Sequence, residues 1–179
     1  MTLEIEIKDE KLTRLHSVFF RLGELTDEYC RKYDDDAPYW YNERANVSFL
    51  AGAIWRCGGM ALEEYSSDKI WAAEDYPGRT DLWFQYDGKE YVAEAKIAWI
   101  TLAPDRQEIV DEIEGELNKA VGDAQNNPEK ADYKIGIVFI VPRAQNSDRQ
   151  AVANMLAYLM SAIKSQIQYD VLIPIGNWH

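Results

Sequence analysis

The feature that most restricts how this chain can fold is a dipeptide. Asp87-Gly88 sits between two runs that alternate apolar and polar residues, 81–86 and 89–99. Asp-Gly readily supplies the two left-handed residues of a type I′ turn, whose twist matches that of a β-hairpin. A two-residue loop also fixes the register. Tyr86 then faces Lys89, Phe84 faces Tyr91, and Asp81 faces Glu94, with facing Cβ atoms about 4.5–5.5 Å apart. The period of two puts Lys96 on the face of Glu94, with Arg79 opposite it. The other face carries Leu82, Phe84, Tyr86, Tyr91, Ala93, Ala95, Ile97 and Trp99, and reads as core.

Other elements fall into place around this hairpin. Residues 11–33 predict a helix, with Leu12, Leu15, Phe19, Leu22 and Leu25 on one stripe. Asn42 is placed to cap a second helix, which Gly58-Gly59 stops after Arg56. Residues 60–66 read as a short strand, 105–125 as a helix, and 133–141 as an apolar run typical of a central strand. A helix over 148–166 and a last strand over 169–175 complete the order α-α-β-β-β-α-β-α-β. That order predicts an α/β fold with a mixed central sheet flanked by helices on both faces.

The length of 179 residues suits one domain, and 47% hydrophobic with 28% charged residues is globular. No apolar run reaches the length of a membrane span, and residues 1–10 carry four acids, unlike a secretion signal. A soluble cytoplasmic protein is expected. Two cysteines, Cys30 and Cys57, are too few for a disulfide scaffold or a cysteine-built zinc site. His16 and His179 have no partner at ligand spacing. The net charge of −12 argues against a protein that coats polyanions indiscriminately.

The polar hairpin face carries the chemistry. Two carboxylates opposed across strands destabilise a sheet and raise one another's pKa unless a cation sits between them. A hard divalent ion resolves the conflict, and Mg²⁺ commonly uses one or two carboxylates plus water and phosphate oxygens. The tripeptide pattern acid-x-Lys also occurs at Glu6, Asp9, Asp87 and Asp132. Only Glu94-Ala95-Lys96 lies mid-strand with an Asp facing its acid.

Gly78-Arg79-Thr80-Asp81, thirteen positions before Glu94-Ala95-Lys96, resembles the motif of the PD-(D/E)XK nuclease superfamily. The resemblance implies a restriction-endonuclease-like αβββαβ core over about 42–141. A helical extension over about 1–38 and a helix and strand over 148–175 would be additions within one domain. It implies that Asp81 and Glu94 bind Mg²⁺, that Mn²⁺ can substitute, and that Lys96 positions or activates the attacking water. The Ala95 carbonyl would be a further ligand. Glu43, on the inward stripe of Val47, Leu50 and Ile54, matches an additional acid of the family's first core helix. It would act as a third metal ligand or orienting group. Thr80 departs from the motif proline, which does no chemistry.

The function expected is therefore a metal-dependent nuclease, a hydrolase of phosphodiester bonds in nucleic acid with DNA favoured. Arg79, Trp83 and Gln85 are the candidate substrate contacts, Trp83 by stacking on a base. Arg44, Arg56, Lys69, Arg79, Lys89 and Lys96 could line one side and offset the acidity; otherwise a homodimer or partner subunit is expected to help. Two alternatives stand beside this reading: a catalytically inactive nuclease-like interaction module, and an acidic protein that mimics nucleic acid or inhibits its enzymes. Glu63 and Glu64 are left unassigned by strand parity, and the acids between Asp105 and Glu116 read as a solvated helix face.

Overall fold

A computed structural model describes residues 4–33, 36–71, 74–101, 106–143 and 149–175, with side chains described for these except 67–78, 106 and 149. The elements are β1 (Glu6–Ile7), α1 (His16–Lys32), α2 (Glu43–Arg56), β2 (Met60–Trp71), β3 (Glu74–Tyr86), β4 (Lys89–Thr101), α3 (Arg106–Asn126), β5 (Tyr133–Arg143), α4 (Arg149–Gln166) and β6 (Val171–Leu172). Short 3₁₀ turns precede α1 and α2. Strands β2-β3-β4-β5 form a mixed sheet, antiparallel except for the parallel pair β4–β5.

Local chemistry accounts for the boundaries. Asn42 caps α2 by accepting a hydrogen bond from Ala45 N at 2.9 Å. At the other end Gly58 takes φ +83°, donating to the Trp55 carbonyl, while Gly59 donates to that of Ile54. These two bonds are the Schellman closure that a left-handed glycine permits. Asp87 (φ 49°) and Gly88 (φ 68°) form the expected turn, and Phe84 faces Tyr91 with their rings stacked at 4.5 Å.

Both faces of the sheet are covered. Leu82, Phe84, Tyr91, Ala93 and Ala95 pack with Leu22, Val47, Leu50 and Ile54 of α1 and α2. Ala98 and Ile100 pack with Ile109, Ile113, Leu159 and Ile163 of α3 and α4. Even-numbered residues of β4 thus look towards α3, and Glu94 and Lys96 belong to that set. At Gly136, which pairs with Glu94, an added Cβ would lie 2.5 Å from Val121 N. Helix α3 therefore crosses β5 at backbone contact, which carries its second half over Glu94 and Lys96.

Several expectations are corrected. The strand expected to end at 66 runs to Trp71 and pairs with a longer β3 on both sides of a break at Glu64. The final strand is only Val171–Leu172, and it pairs with β1 instead of joining the main sheet. The 133–141 run is not central: among the described residues β5 pairs with β4 alone, at the edge. The first helix opens with a 3₁₀ turn over Glu10–Leu15. Among the described residues, no helix is long and apolar enough to cross a membrane.

Candidate active site

Asp81 lies where the sheet lets go. Pairing of β3 with β4 runs from Tyr86–Lys89 to Leu82–Ala93 and stops there. Pairing with β2 skips the same point: Glu63 faces Leu82, Tyr65 faces Thr80, and Glu64 between them takes φ 46°. The expected register thus holds from Tyr86–Lys89 to Leu82–Ala93, but the ladder ends one step short of Asp81 and Glu94, which are not the ladder pair expected. Instead the Asp81 carboxylate replaces the missing ladder bond, Oδ2 accepting from Ala95 N at 2.8 Å. The ladder's end also removes Arg79 from its expected place opposite Lys96; its strand partner is Ser66.

Glu94 is 1% exposed and its Oε1 accepts from Asn127 Nδ2 at 2.8 Å. Lys96 is half-buried; its ammonium lies 2.8 Å from Asp123 Oδ2 and donates to the Ala95 carbonyl at 3.0 Å. Burial alone would lower the lysine's pKa. The hydrogen bond and charge of Asp123, with Glu43 and Asp81 behind them, outweigh it and hold the group above its ordinary value. Lys96 is thus a fixed cation at neutral pH, suited to orienting and neutralising rather than to taking a proton.

Glu43, in the first turn of α2, belongs to the same electrostatic group. Burial raises its carboxyl pKa, and the charges of Asp81, Glu94 and Glu116 raise it further, while Lys96 opposes them. Glu116 is therefore not simply part of a solvated helix face, although it also pairs with Lys119 at 2.6 Å. Glu94 and Lys96 lie on the α3 side of the sheet, against Asn127 and Asp123, and Asp81 is tied to their strand through Ala95 N. Glu43, by contrast, comes from α2, which packs on the opposite face, and joins the group through its charge. Among the described residues, no three His, Cys, Asp or Glu side chains stand together at metal-ligating spacing. Hard oxygen donors from two carboxylates, with a third acid destabilised by its neighbours' charge, fit a divalent cation that keeps most of its water. They do not fit a cage of protein ligands.

Other candidates are dispersed. Arg79 Nη1 lies 3.2 Å from Glu64 Oε2, and Arg44 Nε lies 2.5 Å from Glu64 Oε1. Glu64 is thus a clamp between two arginines, whereas Glu63 accepts from Ser48 Oγ. Trp83 and Gln85 share the Asp81 face by alternation and are half-buried, beside exposed Leu62 and Met60 of β2. Cys57 is half-buried, with Sγ 3.5 Å from the Ser17 carbonyl. Of the basic residues expected to line one side, Arg44, Arg56, Arg79, Lys89 and Lys96 each sit against an acid. Lys69 falls outside the described side chains, and Asp105 and His179 outside the described residues.

Sequence reasoning missed Asp123 and Asn127. Both come from α3 and its exit, and nothing local distinguishes them; Asn126-Asn127-Pro128 reads as a helix stop. Comparison of the chain with protein-family models, curated proteins and solved structures finds no match.

Proposed function

We propose that this protein is a Mg²⁺-dependent nuclease that hydrolyses phosphodiester bonds. The observation that carries the reading is the joining of Asp81 to the Glu94–Lys96 strand through Ala95 N–H, with Glu43 and Lys96 in mutual electrostatic reach. The likeness to the PD-(D/E)XK motif supports the same residues. Asp81 and Glu94 would hold the cation, with Glu43 at the edge of its water shell. The bound ion would polarise the phosphate and neutralise charge developing on its oxygens. Lys96, kept as an ammonium, would leave Asp123 to align the attacking water and share that charge. Such an aligned charge in a half-buried site contributes at the scale of about 10²–10³ in rate.

The pairing of Arg44, Arg56, Arg79, Lys89 and Lys96 with acids favours a substrate met through close local contact over long-range attraction. Trp83 and Arg79 are the proposed contacts for base and phosphate, and DNA the proposed substrate. A second reading, a non-catalytic interaction module, draws support from the lack of three clustered acids among the described residues. Incubation of plasmid and single-stranded DNA with Mg²⁺ or Mn²⁺, with and without EDTA, separates the two. EDTA-sensitive cleavage that Asp81→Asn abolishes is expected, and intact DNA in every lane favours the module.

A further inference from the structure

Asn127 is 1% exposed, and both protons of its amide are committed. Nδ2 donates to Glu94 Oε1 and to Thr80 Oγ1, each at 2.8 Å. Its Oδ1 accepts from Glu129 N at 3.0 Å. The amide can face only one way, because the Glu129 backbone N–H donates but cannot accept, so Oδ1 must be turned towards it. The residue itself is anchored: Asn127 N donates to the Ala124 carbonyl, and Lys134 Nζ donates to the carbonyls of Gln125 and Asn127. A rigid helix exit thus holds a side-chain amide against a buried carboxylate of the candidate site. The same amide ties that carboxylate to Thr80, one residue before Asp81.

We propose that Asn127 is the positioning residue of the site, and that the Thr80–Asn127–Glu94 bridge fixes the spacing of Glu94 and Asp81 for a divalent cation. The inference rests on the metal-binding half of the proposed function. Groups that hydrogen-bond to ligating carboxylates orient them, and losing one typically costs about 10–100-fold in metal affinity or activity. Thr80 fills the position of the motif proline. A proline could not accept the amide proton, so in this chain the bridge adds a link between β3 and β4 where their ladder has stopped.

The test is calorimetric titration of the full chain with Mn²⁺, read beside DNA cleavage and the far-ultraviolet dichroism of each variant. Asn127→Ala is expected to weaken Mn²⁺ binding by about 10–100-fold with the dichroism unchanged. Thr80→Val should weaken it a few-fold, and Thr80→Ser, which keeps the hydroxyl, should restore wild-type affinity. Unchanged Mn²⁺ affinity in a folded Asn127→Ala chain would overturn the inference. If Asn127→Ala does not fold, equal affinities of Thr80→Val and Thr80→Ser would overturn it instead. A wild-type chain that binds no Mn²⁺ overturns the metal reading and this inference together. Mn²⁺ binding with the Asn127 effect but no cleavage supports the inference while sinking the nuclease reading.

Discussion

Lys96 separates catalysis from metal binding at the scale of a single residue. Its neighbour is Asp123 rather than another cation, so Lys96→Ala should cost stability instead of raising it. Asp123 is 43% exposed and can rehydrate, so the loss should stay at about 0.5–1 kcal/mol. Cleavage should fall by roughly 10²–10³-fold while Mn²⁺ affinity holds, because both carboxylates remain. Parallel assays of rate, calorimetric affinity and melting temperature check this; an undiminished rate would remove Lys96 from the mechanism. The alternation of one hairpin made Asp81, Glu94 and Lys96 legible in the sequence, and a helical stripe did the same for Glu43. Asn127 was not legible, because it meets Glu94 across 33 positions of chain. Its role depends on how α3 lands on the sheet, which no short-range pattern records.

At the scale of elements, that landing depends on Gly136. A Cβ there would press on the Val121 backbone at 2.5 and 2.7 Å, so Gly136→Ala must shift α3 or β5. A cost of about 1–3 kcal/mol is expected from overpacking of this kind. The Lys96–Asp123 and Glu94–Asn127 contacts should loosen with it, so Mn²⁺ affinity should fall although no ligand is touched. Wild-type affinity in the variant would show that the helix is not the positioning element. Strands β4 and β5 are also pinned at their starts. Lys89 and the Glu90 N–H hold the Asp132 carboxyl pKa below its usual 3.8. A carboxylate favoured in the folded state stabilises fully above its unfolded value, and the benefit is lost as pH falls through the folded one. The melting-temperature gap between wild type and Asp132→Asn should therefore be constant from pH 7 to about 5 and close below 3.8. A gap that widens on acidification would contradict this pairing.

Helix limits were readable because caps and glycines are local chemistry. The lateral place of β5 was not. Ile135, Ile137 and Phe139 face one core while Val138 and Ile140 face the other, so the strand is apolar along its whole length. Such a run reports that both faces are covered and says nothing about which strands lie beside it. The two-residue clip of β1 to β6 was equally hidden, since pairs so short carry no periodic signal. Its backbone pairing is continued by Lys8 N donating to the Asp170 carbonyl at 2.7 Å, and side chains add to it: the Tyr169 hydroxyl donates to Glu6 Oε1 at 2.9 Å, and Lys164 lies 3.2 Å from Glu6 Oε2.

For the molecule as a whole, the net charge of −12 and an isoelectric point near 4.6 gain a second meaning from β5. Among the described residues β5 pairs on one side only, and a nearly unbroken apolar strand so placed would offer its outer row of amides and carbonyls to a similar strand that arrives. Mutual repulsion between identical, strongly acidic molecules would then keep two such edges from meeting in solution. That colloidal protection should vanish where the charge does. Light scattering should rise sharply near pH 4.6, and at neutral pH it should rise with salt, which shortens the reach of the repulsion. Infrared spectra of the precipitate should show added intermolecular β-pairing; a precipitate with the native spectrum would clear the edge of β5. The acidity that makes this chain an unlikely polyanion binder would then serve as its guard against becoming a fibre.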